Sequence, residues 1–170
     1  YDADWICVDF FGRPYAICRK TGRILRRWSL EQADYSEALS IFDLLCHEGE
    51  NKRLSHEFAP VNSLNCRTRA VGVGTDFHGK IAQCFDRDPS AFFRACKAIG
   101  GEPVEMGDIG FQFPVFKDIT VILKFYHADE DFPASVTLLW DTNMLQFAFY
   151  ETVFYMAGVL LSAIANEMGI

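Results

Sequence analysis

The hydrophobic pattern of this chain changes period repeatedly, and the order of the changes limits the fold. Short runs rich in β-branched and aromatic residues, bounded by turn residues, occur at 5–11, 15–18, 24–28, 109–113, 120–126 and 135–140. The first three predict an antiparallel meander, and the last two predict a hairpin. Strands grouped near both ends of the chain, with helical patterns between and after them, indicate an α+β domain. We expect one antiparallel sheet that combines the meander with the hairpin.

Three main helices are predicted to pack on this sheet, near residues 35–46, 89–99 and 151–168. The second has the clearest signals, with Asp88 as N-cap, Pro89 at the first helical position and Gly100-Gly101 after its end. Residues 51–73 are polar and irregular, which predicts a long surface loop. A short helix is expected to follow over 80–85.

The length of 170 residues and the hydrophobic fraction of 50% are those of one self-sufficient domain. We therefore expect a single domain over 1–170, and the start at Tyr1 suggests that an N-terminal segment has been removed. The apolar stretch 152–165 falls short of the roughly 20 residues needed to cross a bilayer. The sequence therefore predicts a buried helix there and no membrane partner.

The charge balance and the cysteines exclude several classes of protein. A formal net charge of −7, with few clustered cations, disfavours nucleic acid as a partner. The six cysteines show neither C-x-x-C nor C-x-C spacing, so they do not indicate a zinc or iron–sulfur site. We interpret them as reduced core thiols of a cytoplasmic chain.

The stretch GTDFHGKI at 74–81 resembles a phosphate-binding loop but lacks its essential features. Ile81 stands where the hydroxyl that holds magnesium should follow the lysine, and the preceding residues are polar instead of forming an apolar strand. We interpret the stretch as a flexible glycine turn.

The most unusual chemistry in the sequence is the acidic turn, by which we mean Asp129, Glu130 and Asp131. It follows Tyr126 and His127 at the end of an apolar strand. Such carboxylates could bind a divalent cation or share a proton. The alternative is a solvated hairpin tip whose charges protect a sheet edge.

A second set of candidates lies around the start of the last helix. Tyr150 and Glu151 begin that helix, and Trp140 ends the preceding strand. If the helix start faces the acidic turn, Glu151 becomes a buried carboxylate and a candidate acid or base. The alternative is that Glu151 only complements the helix dipole. Cys46 could act as a nucleophile only if folding brings His56 or His78 to it.

Several segments, taken in order, carry a resemblance to a known family. They are Phe42-Asp43-Leu44-Leu45, Leu54-Ser55-His56-Glu57-Phe58, Asp88-Pro89-Ser90-Ala91-Phe92, Gly100-Gly101-Glu102, Ala128-Asp129-Glu130-Asp131-Phe132-Pro133-Ala134-Ser135, Leu139-Trp140-Asp141 and Tyr150-Glu151-Thr152. Together they resemble the uncharacterised prokaryotic family named domain of unknown function 3786.

The resemblance implies a cytosolic domain of anaerobic prokaryotes that is sometimes attached to iron–sulfur modules. It implies no established activity, cofactor or catalytic residue. His127 and Ala148 stand where other residues would be expected.

The sequence thus leads to two functional hypotheses. The first is a non-catalytic binding or accessory module, with its pocket or partner surface between the acidic turn and the start of the last helix. Its candidate binding residues are Asp129, Glu130, Asp131, Tyr126, Trp140, Tyr150 and Glu151. The alternative is a small enzyme that uses Glu151 or Asp129 as acid or base, with or without a metal.

Overall fold

The computed structural model describes residues 4–49, 52–64 and 75–170, and within the last range it leaves the side chains of 75–77 undescribed. The strands are β1 Trp5–Phe10, β2 Arg13–Cys18, β3 Ile24–Arg26, β4 Phe58–Pro60, β5 Glu102–Pro103, β6 Ile109–Phe116, β7 Ile119–Tyr126 and β8 Ser135–Asp141. The α-helices are α1 Tyr35–Cys46, α2 Thr75–Arg87, α3 Pro89–Ala98 and α4 Tyr150–Met168.

The predicted α+β fold is confirmed, but its strands divide between two antiparallel sheets instead of one. The meander forms its own sheet in the order β1-β2-β3. Its first turn has positive φ at both Phe11 (48°) and Gly12 (67°), as a two-residue type I′ hairpin requires. The tightness of this turn fixes the register, in which Phe10 pairs with Arg13.

The second sheet has the order β4-β8-β7-β6-β5 and contains the predicted hairpin at its centre. The predicted strand at 109–113 is too short, because β6 continues through Pro114 to Phe116 with an irregularity in its pairing with β7. A bulge accommodates a proline that cannot donate to the ladder. The predicted loop 51–73 also contains the edge strand β4, three residues too short to show a pattern.

Two helices have N-terminal caps formed by aspartate side chains. Asp34 accepts a hydrogen bond from the Glu37 N–H while the Glu37 side chain accepts from the Asp34 N–H, which forms a capping box at α1. Asp88 caps α3 through the Ala91 N–H, with Pro89 in the first turn. The core joins buried residues from both sheets and all four helices into one apolar cluster.

Most of the stretch that resembles a phosphate-binding loop lies in α2. From Thr75 onwards the chain is helical, so Gly79 and Lys80 lie inside a helix, where backbone N–H groups bond to carbonyls one turn earlier. The prediction of a flexible turn is wrong for these positions, and Gly74 lies outside the described residues. The same helix extends the predicted short helix at 80–85 in both directions.

The prediction that the cysteines are core thiols is wrong for most of them. The five described ones are free, but only Cys96 is buried, while Cys7 and Cys46 are exposed. Burial raises the pKa of the Cys96 thiol well above its usual range. Cys66 lies outside the described residues.

Among the described residues, no helix is both long enough and apolar enough to span a bilayer.

Candidate functional site

The acidic turn is held by hydrogen bonds between the Asp129 carboxylate and backbone N–H groups of the turn. One carboxylate oxygen of Asp129 accepts the N–H groups of Asp131, at 2.9 Å, and Phe132, at 2.7 Å. Asp129 is therefore engaged in an Asx-type turn that closes the β7–β8 hairpin. Glu130 and Asp131 are exposed, which is the arrangement of a solvated hairpin tip.

A histidine next to the acidic turn fastens it to the end of α2. His127 Nδ1 lies 2.6 Å from Asp86 Oδ1, and the His127 N–H donates to Asp108 Oδ2 at 2.8 Å. These contacts position the hairpin against α2 and the loop before β6. Within the described part of the chain, no group of three or more His, Cys, Asp or Glu side chains could hold a metal ion.

The start of α4 lies at the other end of β8 from the acidic turn. Tyr126 pairs with Ser135 at the first residue of β8, whereas Asp141 is the last, so the strand separates the two regions by roughly 20 Å. The backbone N–H of Phe149, which precedes α4, donates to Asp43 of α1 at 2.7 Å. The helix start therefore faces α1.

The predicted binding residues are thus divided among separate places. Trp140 is 1% exposed and packs in the core. Tyr150 is buried and its hydroxyl lies 3.2 Å from the Asn62 side chain. Tyr126 and Glu151 are exposed, so Glu151 is not the buried acid or base that the sequence suggested. Its position in the first turn of α4 matches the alternative, a residue that complements the helix dipole.

The histidine that follows Cys46 in the chain is engaged by other residues. His47 Nδ1 lies 3.1 Å from Asp43 Oδ1, and its ring packs edge-on against Phe149. His47 is therefore oriented by a carboxylate of its own helix. Cys46 is exposed beside it without a described base.

A pocket of about 590 Å³ lies where the C-terminal end of α1, the chain before β4 and the β6–β7 turn meet. Its lining combines apolar and cationic side chains: Leu44, Lys52, Arg53, Leu54, His56, Phe116, Lys117, Asp118, Ile119 and Phe147. This volume is in the range of small-molecule sites. We call it the cationic pocket.

The three cations of this pocket have no described counter-ion. The ion pairs among the described residues involve other basic groups, so none joins Lys52, Arg53 or Lys117 to a carboxylate. Lys52 donates instead to the His47 carbonyl oxygen. Lys117 Nζ lies 5.4 Å from the centre of the Phe116 ring. With one acid, Asp118, against three cations, the lining is positive in a chain of net charge −7.

Two residues of the cationic pocket adopt a left-handed backbone. His56 has φ 59° and Lys117 has φ 50°, and only two other described non-glycine residues share this feature. Such conformations cost on the order of 1–2 kcal/mol for a residue with a Cβ. Lys117 occupies the β6–β7 turn, where glycine or asparagine would relieve the strain. A charged side chain with a strained backbone therefore lines the pocket.

The wall of the pocket before β4 is held by Asp141. Its buried carboxylate accepts four hydrogen bonds, from the Ser55 N–H at 3.0 Å, the Ser55 hydroxyl at 2.9 Å, the His56 N–H at 2.7 Å and the Asn143 N–H at 2.8 Å. Burial alone would raise the pKa of Asp141, but the donors outweigh it and hold that pKa below its usual range. Asp141 is therefore ionised and holds Ser55 and His56 in place.

A second polar cluster is structural. Glu37, 6% exposed, accepts from the Tyr15 hydroxyl at 2.7 Å and from Arg26 Nε at 3.0 Å, and its other oxygen lies 2.6 Å from an Arg26 terminal nitrogen. A neighbouring cavity of about 390 Å³ borders this cluster. Because every charge in the cluster is paired, it joins the meander to α1 and leaves no group free for chemistry.

Sequence reasoning did not find the cationic pocket. Lys52 and Arg53 are neighbours in a segment interpreted only as a loop, and Lys117 lies far from them in the chain. The only available signal was a lysine between Phe116 and Asp118 in a tight turn, where glycine is expected.

Three comparisons with known proteins bear on the chain's identity. The model of a family described as "Domain of unknown function (DUF3786)" matches residues 1–163, so the chain belongs to that family. No curated protein and no solved structure matches it.

Proposed function

We propose that this member of the DUF3786 family is a non-catalytic binding module that holds a small anion in the cationic pocket. The observation that carries the proposal is the convergence of Lys52, Arg53 and Lys117 on one pocket without described carboxylate partners. Cations grouped without counter-ions repel one another, and a bound anion relieves that repulsion.

The neighbourhood of the pocket supports this reading. Two nearby carboxylates have partners elsewhere: Asp43 accepts from the Phe149 N–H, and Asp141 accepts from the chain before β4. Among the described residues, neither forms an ion pair with Lys52, Arg53 or Lys117. Charge-assisted hydrogen bonds from lysine and arginine are the usual means of recognising carboxylates and phosphates.

No specific observation favours the enzyme alternative. Asp129 is engaged in the hairpin turn and Glu151 is exposed at the opposite end of β8, so the two carboxylates named for acid or base chemistry do not meet. The binding module therefore remains the better hypothesis, with its pocket moved from the acidic turn to the cationic pocket. Iron–sulfur protein partners and residence in the cytoplasm of anaerobic prokaryotes remain proposals based on the resemblance alone.

The test is isothermal titration calorimetry with inorganic phosphate and with acetate at low ionic strength. We expect binding that weakens as sodium chloride is added, because exposed charges are screened. The double variant Arg53→Gln/Lys117→Gln should weaken binding at least tenfold, since a hydrogen bond to a charged group contributes about 1.5–3 kcal/mol. Lys52 is left intact because it also bonds to the His47 carbonyl.

The matched control is Lys97→Gln. Lys97, like Lys117, is exposed with its Nζ near a phenylalanine ring, 5.8 Å from the centre of Phe93, but it is not among the residues lining the pocket. The control should bind both anions as the parent chain does. Equal weakening by Lys97→Gln and by the double variant, or no binding of either anion to the parent chain, would overturn the proposal.

A further inference from the structure

We infer that the natural ligand of the cationic pocket is an amphiphilic organic anion: one anionic head group, such as a carboxylate, joined to an acyl chain or ring. This inference rests on the proposed function and names the class of ligand. The argument concerns the part of the pocket that the cations do not occupy.

Half of the pocket lining is apolar. Its five apolar residues are Leu44, Leu54, Phe116, Ile119 and Phe147. Leu44, Phe116 and Ile119 are almost fully buried, so only a small part of each side chain reaches the pocket. Leu54 and Phe147 are half-buried and pack against the core. These side chains offer no hydrogen bonds to a small inorganic ion.

Three charged residues of the lining lie at the exposed side of the same pocket. Phe116 and Ile119 pair across the β6–β7 hairpin, and Lys117 and Asp118 form its exposed tip. Arg53 is exposed as well. A buried apolar surface below an exposed cationic edge suits a ligand whose anionic end remains near water while its apolar part reaches inward.

The size of the pocket supports the same conclusion. Its volume of about 590 Å³ is many times the roughly 30 Å³ that one water molecule occupies in the liquid. A single phosphate or acetate ion would leave most of this space filled with water against leucine, isoleucine and phenylalanine side chains. An apolar group would displace that water favourably.

The test is a calorimetric series of straight-chain monocarboxylates from acetate to octanoate, titrated into the 170-residue chain. Each added methylene should tighten binding roughly three- to fourfold until the chain fills the pocket, since burial of a methylene follows the area removed from water. The heat-capacity change should become more negative along the series. 1-Hexanol and hexylammonium, which have the chain without the anion, should bind at least tenfold more weakly than hexanoate.

Two variants test the contribution of the apolar part and that of the anionic part of the ligand separately. Leu54→Ala should reduce the gain per methylene and leave the affinity for acetate within about twofold. Lys117→Gln should weaken every carboxylate by a similar factor and leave the gain per methylene unchanged. Leu54 is only half-buried, so its truncation is compatible with folding, and circular dichroism checks this for both variants.

The outcomes distinguish this inference from the proposed function. If acetate and phosphate bind, and Arg53→Gln/Lys117→Gln weakens them, but octanoate binds no better than acetate, the amphiphilic ligand is overturned and the anion-binding module stands. If hexanol binds as well as hexanoate, the pocket is only apolar and both fall. If no probe binds, both fall as well.

Discussion

The carboxylate of Asp141 at the end of β8 accepts the backbone N–H of His56 at 2.7 Å, 85 positions earlier in the chain. This contact joins the second sheet to the chain that lines the cationic pocket. His56 has a strained φ of 59°, and the hydrogen bond to a charged acceptor contributes to holding that conformation. The shape of the pocket therefore depends on a residue that does not line it.

Asp141→Asn should lower the free energy of unfolding by roughly 1–3 kcal/mol. An amide oxygen can accept some of the four hydrogen bonds, but the amide NH₂ would face donors in a buried site. Urea denaturation measures the loss. Asp118→Asn is the control, since Asp118 is exposed and should change stability by less than about 0.5 kcal/mol. Comparable losses in the two variants would contradict the anchoring role.

The same residue predicts a pH dependence of stability. Because the pKa of Asp141 is lower in the folded chain than in the unfolded chain, near ~3.9, its contribution is fully present above that value. It is lost as the pH falls from about 4 through the folded-state pKa. The difference in stability between the parent chain and Asp141→Asn should therefore shrink below pH 4. Denaturation measured at several acidic pH values checks this, and a constant difference would argue against it.

Lys117→Gly should stabilise the fold while it weakens anion binding. Glycine adopts φ 50° without the Cβ clash, so we expect a gain of about 0.5–1 kcal/mol after its greater chain entropy is subtracted. The lost charge should weaken acetate binding severalfold. Thermal unfolding and calorimetry on the same sample measure both effects. A variant that is less stable than the parent chain would show that the lysine serves the fold instead.

Glu37→Gln should destabilise the chain by about 3 kcal/mol, because it leaves Arg26 in a partly buried position without its closest carboxylate. Glu31→Gln removes a second, exposed carboxylate 3.6 Å from the same guanidinium and should cost less than about 0.5 kcal/mol. Both losses are read from urea midpoints. Near-equal losses would contradict the structural role of the buried pair.

Tyr15 should resist ionisation in the folded chain. Burial, and then the hydrogen bond to Glu37 and its negative charge, raise the pKa of Tyr15 far above its usual range, although Arg26 and Arg13 oppose the shift. The contribution of Tyr15 to stability is thus complete below pH ~10 and is lost as the pH rises towards the folded-state pKa. Tyr15→Phe should titrate as many tyrosines as the parent chain between pH 9 and about 11 by ultraviolet absorbance. One fewer ionising tyrosine in the variant would contradict the prediction.

The sequence predicted those parts of the fold that local chemistry determines. Asp88 caps α3 at the predicted position, and the β7–β8 hairpin follows from its apolar runs. The division into two sheets could not be read in this way, because the partner of a strand is chosen by packing over long distances. Strand β4 has three residues, which is too few to show a period of two.

The candidate site was misplaced for a related reason. The acidic turn attracts attention because its charges are consecutive, yet Asp129 uses its carboxylate to close the turn. Lys117 joins the neighbouring Lys52 and Arg53 only through the tertiary fold, and each is unremarkable in its own segment. Local sequence therefore indicated where charge is concentrated, but not where it is unpaired.

The central claim is tested most directly by mapping inorganic phosphate onto ¹⁵N-labelled protein by nuclear magnetic resonance at low ionic strength. The account predicts saturable shifts of the backbone amides of Arg53, Leu54, His56 and Lys117, with none at 129–132 or 150–151. Shifts confined to the acidic turn or to the first turn of α4, or the same shifts in the Arg53→Gln/Lys117→Gln variant, would contradict it.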